Sequence, residues 1–237
     1  ASCRETVGAP ALGTRGAAAG DAILTHLLSL TPDAATLKMI SVVASWGSDP
    51  RPGTKVLSGL ARARRWGLAL AMLMEMGEQR LEVNVFHFGA AISACEKCGQ
   101  WQAALELLQD MALCRVCGNT ITCSSAISAC EKAGQWLPAL ALLEDMADSR
   151  VDRDTIVYSA VVSAAEKAGQ WIVALCLLEE MEAVRLARDV IIFSASVSAC
   201  GKAGQWQAAL RILDDMTSVT VAKNIVTFNA AITACAV

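Results

Sequence analysis

Apolar residues in this chain fall at helical spacing in short runs, and the runs recur. Between positions 85 and 119, Phe88, Ile92 and Cys95 stand at i, i+4 and i+7, which predicts a helix from about Phe88 to Cys98. Gly99 then occupies the place where a helix ends through a left-handed residue. A second stripe follows, made of Trp101, Ala104, Leu105 and Leu108, with Glu106, Gln109 and Asp110 on the wet face. The pattern predicts helix–turn–helix, with helices of about ten and twelve residues. Ala, Ser and Cys in the first helix let neighbouring backbones approach closely. Pro138 falls in the first turn of its helix, where a missing N–H is tolerated. Trp101 and its counterparts are expected to be buried anchors, so that Trp136→Ala costs about 3–5 kcal/mol.

The hairpin is repeated. Ser128 to Met146 reads SACEKAGQWLPALALLEDM. Steps of 35 residues give SACEKCGQWQAALELLQDM from Ser93, SAAEKAGQWIVALCLLEEM from Ser163 and SACGKAGQWQAALRILDDM from Ser198. Trp66, Trp101, Trp136, Trp171 and Trp206 share the period, as do Met76, Met111, Met146, Met181 and Met216; around Trp66 the copy is fainter, with Arg64-Arg65 replacing Gly-Gln. A period of this size marks a stacked array. The expected fold is all-α, a solenoid of 35-residue helix–turn–helix repeats at 50–84, 85–119, 120–154, 155–189 and 190–224, with a partial repeat at 225–237. Residues 21–49 carry apolar segments Ala22–Leu30 and Ala34–Ser45 around Thr31-Pro32, and are expected to form a degenerate hairpin that caps the array. Pro50, Pro52 and Gly53 mark the break before it. Residues 1–20, rich in Ala and Gly, are expected to be a flexible leader or the remnant of a transit sequence. The partial repeat leaves Phe228, Ile232 and Cys235 without a second helix, so either more chain or a partner protein is expected against that end.

Composition narrows the chemistry. Hydrophobic residues make up 54% and aromatics only 5%, so the core must be built from Ala, Leu, Ile, Val and Cys. A net charge of −3 supplies no global basic field, and any anion-binding surface must be a local stripe. No apolar run reaches the roughly 18 residues of a spanning helix, so no membrane insertion is expected. Cys95-x2-Cys98 and Cys114-x2-Cys117 have a spacing that often signals zinc. The repeat phase argues otherwise: Cys95 recurs alone as Cys130, Cys200 and Cys235, and a helix of about 11 to 13 residues separates the two pairs by some 16–20 Å. Buried or idle thiols in a reducing compartment are expected, with no metal and no cofactor.

A 35-residue hairpin opening like Ile225-Val-Thr-Phe-Asn, with Glu-Lys-Ala-Gly-Gln-Trp and then Ala-Leu-x-Leu-Leu-x-x-Met, resembles the pentatricopeptide repeat. The tetratricopeptide repeat fits less well, because the period is 35 and its Trp-x2-Leu-Gly-x2-Tyr pattern is absent from the first helix. The resemblance covers 85–237 well, 50–84 loosely and 1–49 hardly at all. It implies a right-handed superhelix that binds single-stranded RNA one base per repeat, on mitochondrial or chloroplast transcripts, in their stability, processing or translation.

The resemblance also implies site residues. The fifth and last residues of each repeat would read a base: Thr54 with Asn84, Gly89 with Asn119, Ser124 with Asp154, Ser159 with Asp189, Ser194 with Asn224, and Asn229 alone. By the family's rule these pairs read 5′-A-(A)-G-G-A-3′, with the second position nearly unassigned because Gly89 lacks a side chain. Phe86, Ile121, Ile156, Ile191 and Val226 would wedge between bases, while Arg51 departs from that pattern. Lys97, Lys132, Lys167 and Lys202, with Arg62 in the same phase, would form a phosphate-contacting stripe. Plainer roles fit the same residues: lysines ending helices favourably, and Ser, Asn or Asp serving as N-caps.

A second reading is a solenoid scaffold of an organellar assembly, such as a ribosome or membrane complex, its groove filled by protein. The acidic balance and the low variety of the pairs motivate it. An enzyme is not expected. His26 and His87 lie in different hairpins, the repeated Glu96, Glu131 and Glu166 belong to the array, and no phosphate loop or nucleophile elbow is present.

Overall fold

The structure, a computed structural model, describes residues 16–46 and 49–236. Among the described residues every regular element is helical, as the periodicity predicts. The chain divides into two compact bodies, Ala1–Val83 and Asn84–Val237.

In the first body, α1 (Gly16–Ser29) and α2 (Pro32–Ala44) form one hairpin, and α3 (Arg51–Arg62) and α4 (Trp66–Glu78) another. Helix α1 packs on α3 and α2 on α4, around Leu27, Met39, Val43, Leu57, Leu60 and Met72. Gly59 permits the first contact, since a Cβ there would collide with the Leu24 side chain. Pro50 stands at the N-cap of α3 with Pro52 in the first turn, so the expected break is a helix start. The leader is shorter than its expected bound, because Gly16 to Gly20 already belong to α1. Residues 1–15 lie outside the described residues.

The second body holds α5 (Val85–Cys98), α6 (Trp101–Leu113), α7 (Thr120–Lys132), α8 (Trp136–Asp148), α9 (Thr155–Lys167), α10 (Trp171–Ala183), α11 (Val190–Lys202), α12 (Trp206–Ser218) and α13 (Ile225–Ala236). The odd-numbered helices open each repeat and stack on one another, α5 on α7 on α9 on α11 on α13. Each even-numbered helix packs against the first helix of its own repeat and the first helix of the next. The first helix of repeat 85–119 starts at Val85, three residues before the expected Phe88, because Asn84 caps it.

Small side chains hold the stack together. Ala91, Ala94, Cys95, Ala126, Ala129 and Cys130 are fully buried. Gly201 follows Glu96, Glu131 and Glu166 in phase, and a Cβ there would sit 3.0 Å from the Ala230 carbonyl oxygen, so α11 and α13 meet backbone to backbone. On α6 the buried positions are Ala103, Ala104, Leu107 and Met111. The expected stripe is thus rotated slightly, and Trp101, Leu105 and Leu108 are only half-buried.

The tryptophans differ from expectation in the same sense. Trp101, Trp136 and Trp171 pack partly buried against the core, and Trp206 is 48% exposed. Each opens the second helix of its hairpin.

Candidate functional site

The first helices of the second body carry a row of apolar side chains in water. Phe86 is 70% exposed, Ile121 70%, Ile156 68%, Ile191 62% and Val226 61%. Their period of 35 puts one on each successive first helix, so the row is continuous rather than scattered. All five are the residues expected to wedge between bases. Beside them lie the fifth residues, with Gly89, Ser124, Ser159 and Ser194 half-buried and Asn229 exposed. Between Ile156 and Ile191 the surface opens into a cleft of ≈ 350 Å³ whose walls also include Ser159, Asp189 and Glu131. One expected reading pair and both flanking wedges thus share a single cleft.

The last residues are N-caps. Asn84 Oδ1 accepts from the Phe86 and His87 backbone N–H groups at 3.0 and 3.4 Å. Asn119 Oδ1 accepts from Thr122 N at 2.9 Å, Asp154 Oδ1 from Val157 N at 2.9 Å, and Asp189 Oδ1 from Ile192 N at 2.9 Å. Asn224 Oδ1 accepts from Thr227 N at 2.8 Å. Each cap uses one oxygen and leaves the second polar atom, an amide nitrogen or a carboxylate oxygen, for another partner. Capping fixes the orientation of that second atom. Buried His87, one of the two histidines, completes the first cap by accepting from Asn84 N at Nδ1, 3.1 Å away.

Among the fifth residues, Ser124 donates to the Ile121 carbonyl at 3.1 Å, and Ser194 Oγ lies 3.1 Å from Thr227 Oγ1. Thr54 and Arg62 lie in the first body on α3, and Arg62 is exposed.

Three lysines of the row are paired. Lys132 Nζ lies 2.8 Å from Glu96 Oε1, Lys167 Nζ 2.6 Å from Glu131 Oε1, and Lys202 Nζ 2.8 Å from Glu166 Oε1. Each ammonium reaches back to the preceding repeat, and Lys167 and Lys202 also donate to the Glu131 and Glu166 carbonyls. Those carbonyls belong to the last turn of a helix, so the lysines cap a neighbouring helix as well as an acid. Half-exposed pairs of this kind contribute a few tenths of a kcal/mol each.

Against known proteins, a profile described as a pentatricopeptide repeat-containing protein matches residues 54–181, more than half of the chain, and a pentatricopeptide repeat domain profile matches 176–236. The chain belongs to the pentatricopeptide repeat family. The solved structure of the pentatricopeptide repeat protein PPR10 from maize aligns with TM-score 0.66 and 27% identity over 91% of this chain. The chain spans only 29% of that protein's length. The repeat domain of Arabidopsis thaliana protein-only RNase P 1, solved in complex with tRNA, aligns with TM-score 0.63 at 11% identity, covering 73% of this chain and 91% of that one. Nuclear proteinaceous RNase P 2 from A. thaliana aligns with TM-score 0.69 at 13% identity over 77% of this chain and 41% of its own. No curated protein matches in sequence.

This pentatricopeptide array carries a second cation row, at the other end of its hairpins. Arg115, Arg150 and Arg185 are exposed, lie between one repeat and the next, and stand at φ 55°, 55° and 56°. Their one signal in the sequence is the period of 35, which Arg80 shares in the first body. The cysteines named are free thiols: Cys95, Cys130 and Cys200 are buried, which pushes each up to about 11, while Cys114 and Cys117 are exposed. Among the described residues no group of three or more metal-ligating side chains comes together, and no helix is long and apolar enough to cross a membrane.

Proposed function

We propose that Asn84–Val237 binds single-stranded RNA along its first-helix face, one base per repeat, as a non-enzymatic RNA-binding protein. The observation that carries this reading is the five-member row of apolar side chains, each 61–70% exposed, running beside polar pairs of fixed orientation. An exposed apolar row is unfavourable in water unless it has an occupant, and an unstacked base presents the flat apolar faces that fit between such side chains. PPR10 of maize, which aligns over most of this chain, has also been crystallised in complex with an 18-nt psaJ RNA element.

Capping supplies the selectivity. With Oδ1 held by the helix, Asp154 and Asp189 offer a bare carboxylate oxygen, an acceptor that suits the N1–H and N2–H donors of guanine. Asn119 and Asn224 offer an amide N–H, a donor that suits N1 of adenine. Ser124, Ser159 and Ser194 add a short hydroxyl. The second body then reads A-G-G-A, its first position weakened by Gly89. Lys97, Lys132, Lys167 and Lys202 would contact phosphates, the last three in competition with the glutamates of the ladder. Action on organellar transcripts in a mitochondrion or chloroplast accords with the family. The paired lysines favour, as a second reading, a scaffold whose groove holds protein.

The test is fluorescence anisotropy with a labelled 12-nucleotide RNA containing AAGGA, its scramble and the DNA version, over a salt series. Binding should favour the AAGGA RNA. The triple variant Glu96→Gln, Glu131→Gln, Glu166→Gln releases three ammonium groups, so it should bind about tenfold tighter with a log–log salt slope steeper by about 2, at roughly 0.7 per phosphate contact. Tight binding without sequence preference removes the base reading and keeps the RNA role. No binding by either protein at low salt overturns the RNA role and leaves the scaffold.

A further inference from the structure

One repeat lacks a pair of side chains that the next two share. In repeat 155–189 Tyr158 is buried on α9, and the Arg153 guanidinium lies over its ring, 5.8 Å from the centroid. Both groups converge on one carboxylate: Arg153 Nη1 is 2.8 Å from Glu180 Oε1, and the Tyr158 hydroxyl donates to the same oxygen at 2.7 Å. That acid and burial together push the phenol up to about 12, with burial the larger cause. In the following repeat Arg188 lies over Phe193 at 5.5 Å and pairs with Glu182 at 3.0 Å.

Thirty-five residues before Arg153 and Tyr158 stand Gly118 and Cys123. Both large groups are missing at once, while the carboxylate is kept, because Asp145 holds the phase of Glu180. The cavity here holds ≈ 590 Å³, against ≈ 390 Å³ beside Arg153 and Tyr158 one repeat on and ≈ 70 Å³ beside Arg188 and Phe193 two repeats on. Its walls are mainly apolar, including Leu108, Met111, Leu142 and Met146, with Cys123 on one side. Asp145, Asp148 and Arg115 are the charged residues around it, two carboxylates against one guanidinium. No hydrogen bond or ion pair engages the Asp145 carboxylate among the described residues. Cys123 and Asp145 line the same space; burial raises the thiol, a hydrogen bond with Thr122 lowers it and the Asp145 charge raises it, with burial the largest cause.

We propose that this cavity is a binding site for a small aromatic cation, a planar ring bearing a guanidinium, amidinium or ammonium group. The ring takes the place of the missing phenol or phenyl, and the cation replaces the missing guanidinium against Asp145. Size and lining agree with a small-molecule site, since such pockets hold a few hundred to a thousand Å³ and are apolar with a few polar groups. Charge agrees as well: Asp145 stands where Glu180 faces Arg153 one repeat on, and without an arginine beside it the acid attracts a cation. Because Asp145 is exposed, the charge contributes discrimination rather than most of the affinity.

The probe is phenethylguanidine, titrated into the ¹⁵N-labelled full chain, with the isosteric but neutral phenethylurea beside it. Amide shifts of Gly118, Cys123 and Asp145 should move together with a dissociation constant on the order of 1 mM or tighter. Phenethylurea should bind about five- to tenfold more weakly. Asp145→Asn should bring the guanidine down to the level of the urea without altering the fold. The double variant Gly118→Arg with Cys123→Tyr rebuilds the missing pair, and should lose the response to both probes while melting at a higher temperature. A Cβ at Gly118 has room for this, its nearest neighbour being Thr122 Oγ1 at 3.5 Å. The site is overturned if phenethylguanidine moves none of the three amides, or if the refilled variant binds it as the wild type does. Equal affinity for the two probes overturns the cationic class of ligand.

Discussion

The hairpins of Asn84–Val237 turn in the same way at both ends but use different residues to do it. Where a first helix hands over to a second, Gly99, Gly134, Gly169 and Gly204 stand at φ 67–69°. Where a second helix hands over to the next repeat, Arg115, Arg150, Arg185 and Thr220 stand at φ 55–57°. The hydrogen bonding matches: Gln135 N donates to Cys130 O at 2.9 Å, and Val151 N to Met146 O at 2.8 Å. Both are the six-to-one bond of a Schellman end. Crowding does not explain the glycines, because a Cβ on Gly134 would meet nothing nearer than Lys167 Cβ at 3.9 Å. The glycine end is therefore relaxed, and the arginine end carries a left-handed penalty of roughly 1 kcal/mol per residue. At the glycine end the nearby cations are neutralised by the Glu–Lys ladder; at the other they stand exposed on a backbone that does not favour them. A charge kept against a conformational cost points to use, and a charge already paired points to structure.

The largest effect should strike both ends alike, because it arises between them. Cys95, Cys130 and Cys200 are fully buried on the first helices, and burial raises each thiol from 9.0 to about 11. The unfolded thiols ionise first, so the stability tied to these groups is complete below pH 9 and is lost as pH rises from 9 through 11. The three thiols together lower stability by roughly a few kcal/mol across that window. Urea melts at pH 8, 9 and 10 should show this fall. The triple alanine variant, which copies the Ala165 already present in repeat 155–189, should flatten it. An equal fall in the variant would assign the alkaline loss to other groups.

Next in size is the tryptophan that follows each glycine turn. Trp171 is half-buried and packs against the core, whereas Trp206 is 48% exposed. Scaled to the area each ring loses to water, Trp171→Ala should cost about 2–3 kcal/mol and Trp206→Ala about 1. Denaturant midpoints compare the two directly. A larger loss at Trp206 would mean that the ring holds the turn itself rather than the core behind it.

Much of this was legible in the sequence, because the period does two jobs. It forces every hairpin to be the same hairpin, so Phe88, Ile92 and Cys95 reveal the core of all the first helices, and Gly99 all the inner turns. It also places Phe86 and its counterparts on one face, which the exposures of the five side chains match. What the sequence did not reveal depends on contacts between repeats. Lys132 and Glu96 are 36 residues apart, and nothing in a one-residue-per-repeat pattern says that an ammonium reaches back to the preceding acid. Burial of the tryptophans was overread for a related reason, since spacing shows which stripe a residue joins and not how near the edge it stands. In the sequence Gly118 and Cys123 are two separate departures from the repeat, five residues apart. Only stacking the next repeat on them shows that they are one void.

The smallest effect tests the comparison most directly, because it exchanges the two solutions. Gly134→Ala places a Cβ at φ 67°, with room for it but against the intrinsic preference of an L-residue. The cost should be about 1 kcal/mol, since the lower entropy of the unfolded chain offsets only part of the left-handed penalty. Arg150→Gly makes the opposite exchange at φ 55° and should stabilise by roughly 0.5 kcal/mol, the gain being trimmed by the freedom that glycine adds to the unfolded chain. Arg150→Asn, which tolerates this conformation without that entropic cost, should do about as well. Urea melts of the three variants at low and high salt separate backbone from charge, because the backbone contribution is insensitive to salt and any attraction of the guanidinium to the array is screened. If Arg150→Gly destabilises the protein at low salt and not at high salt, the arginine is held by the fold's own charges, and the two ends of the hairpin are alike after all.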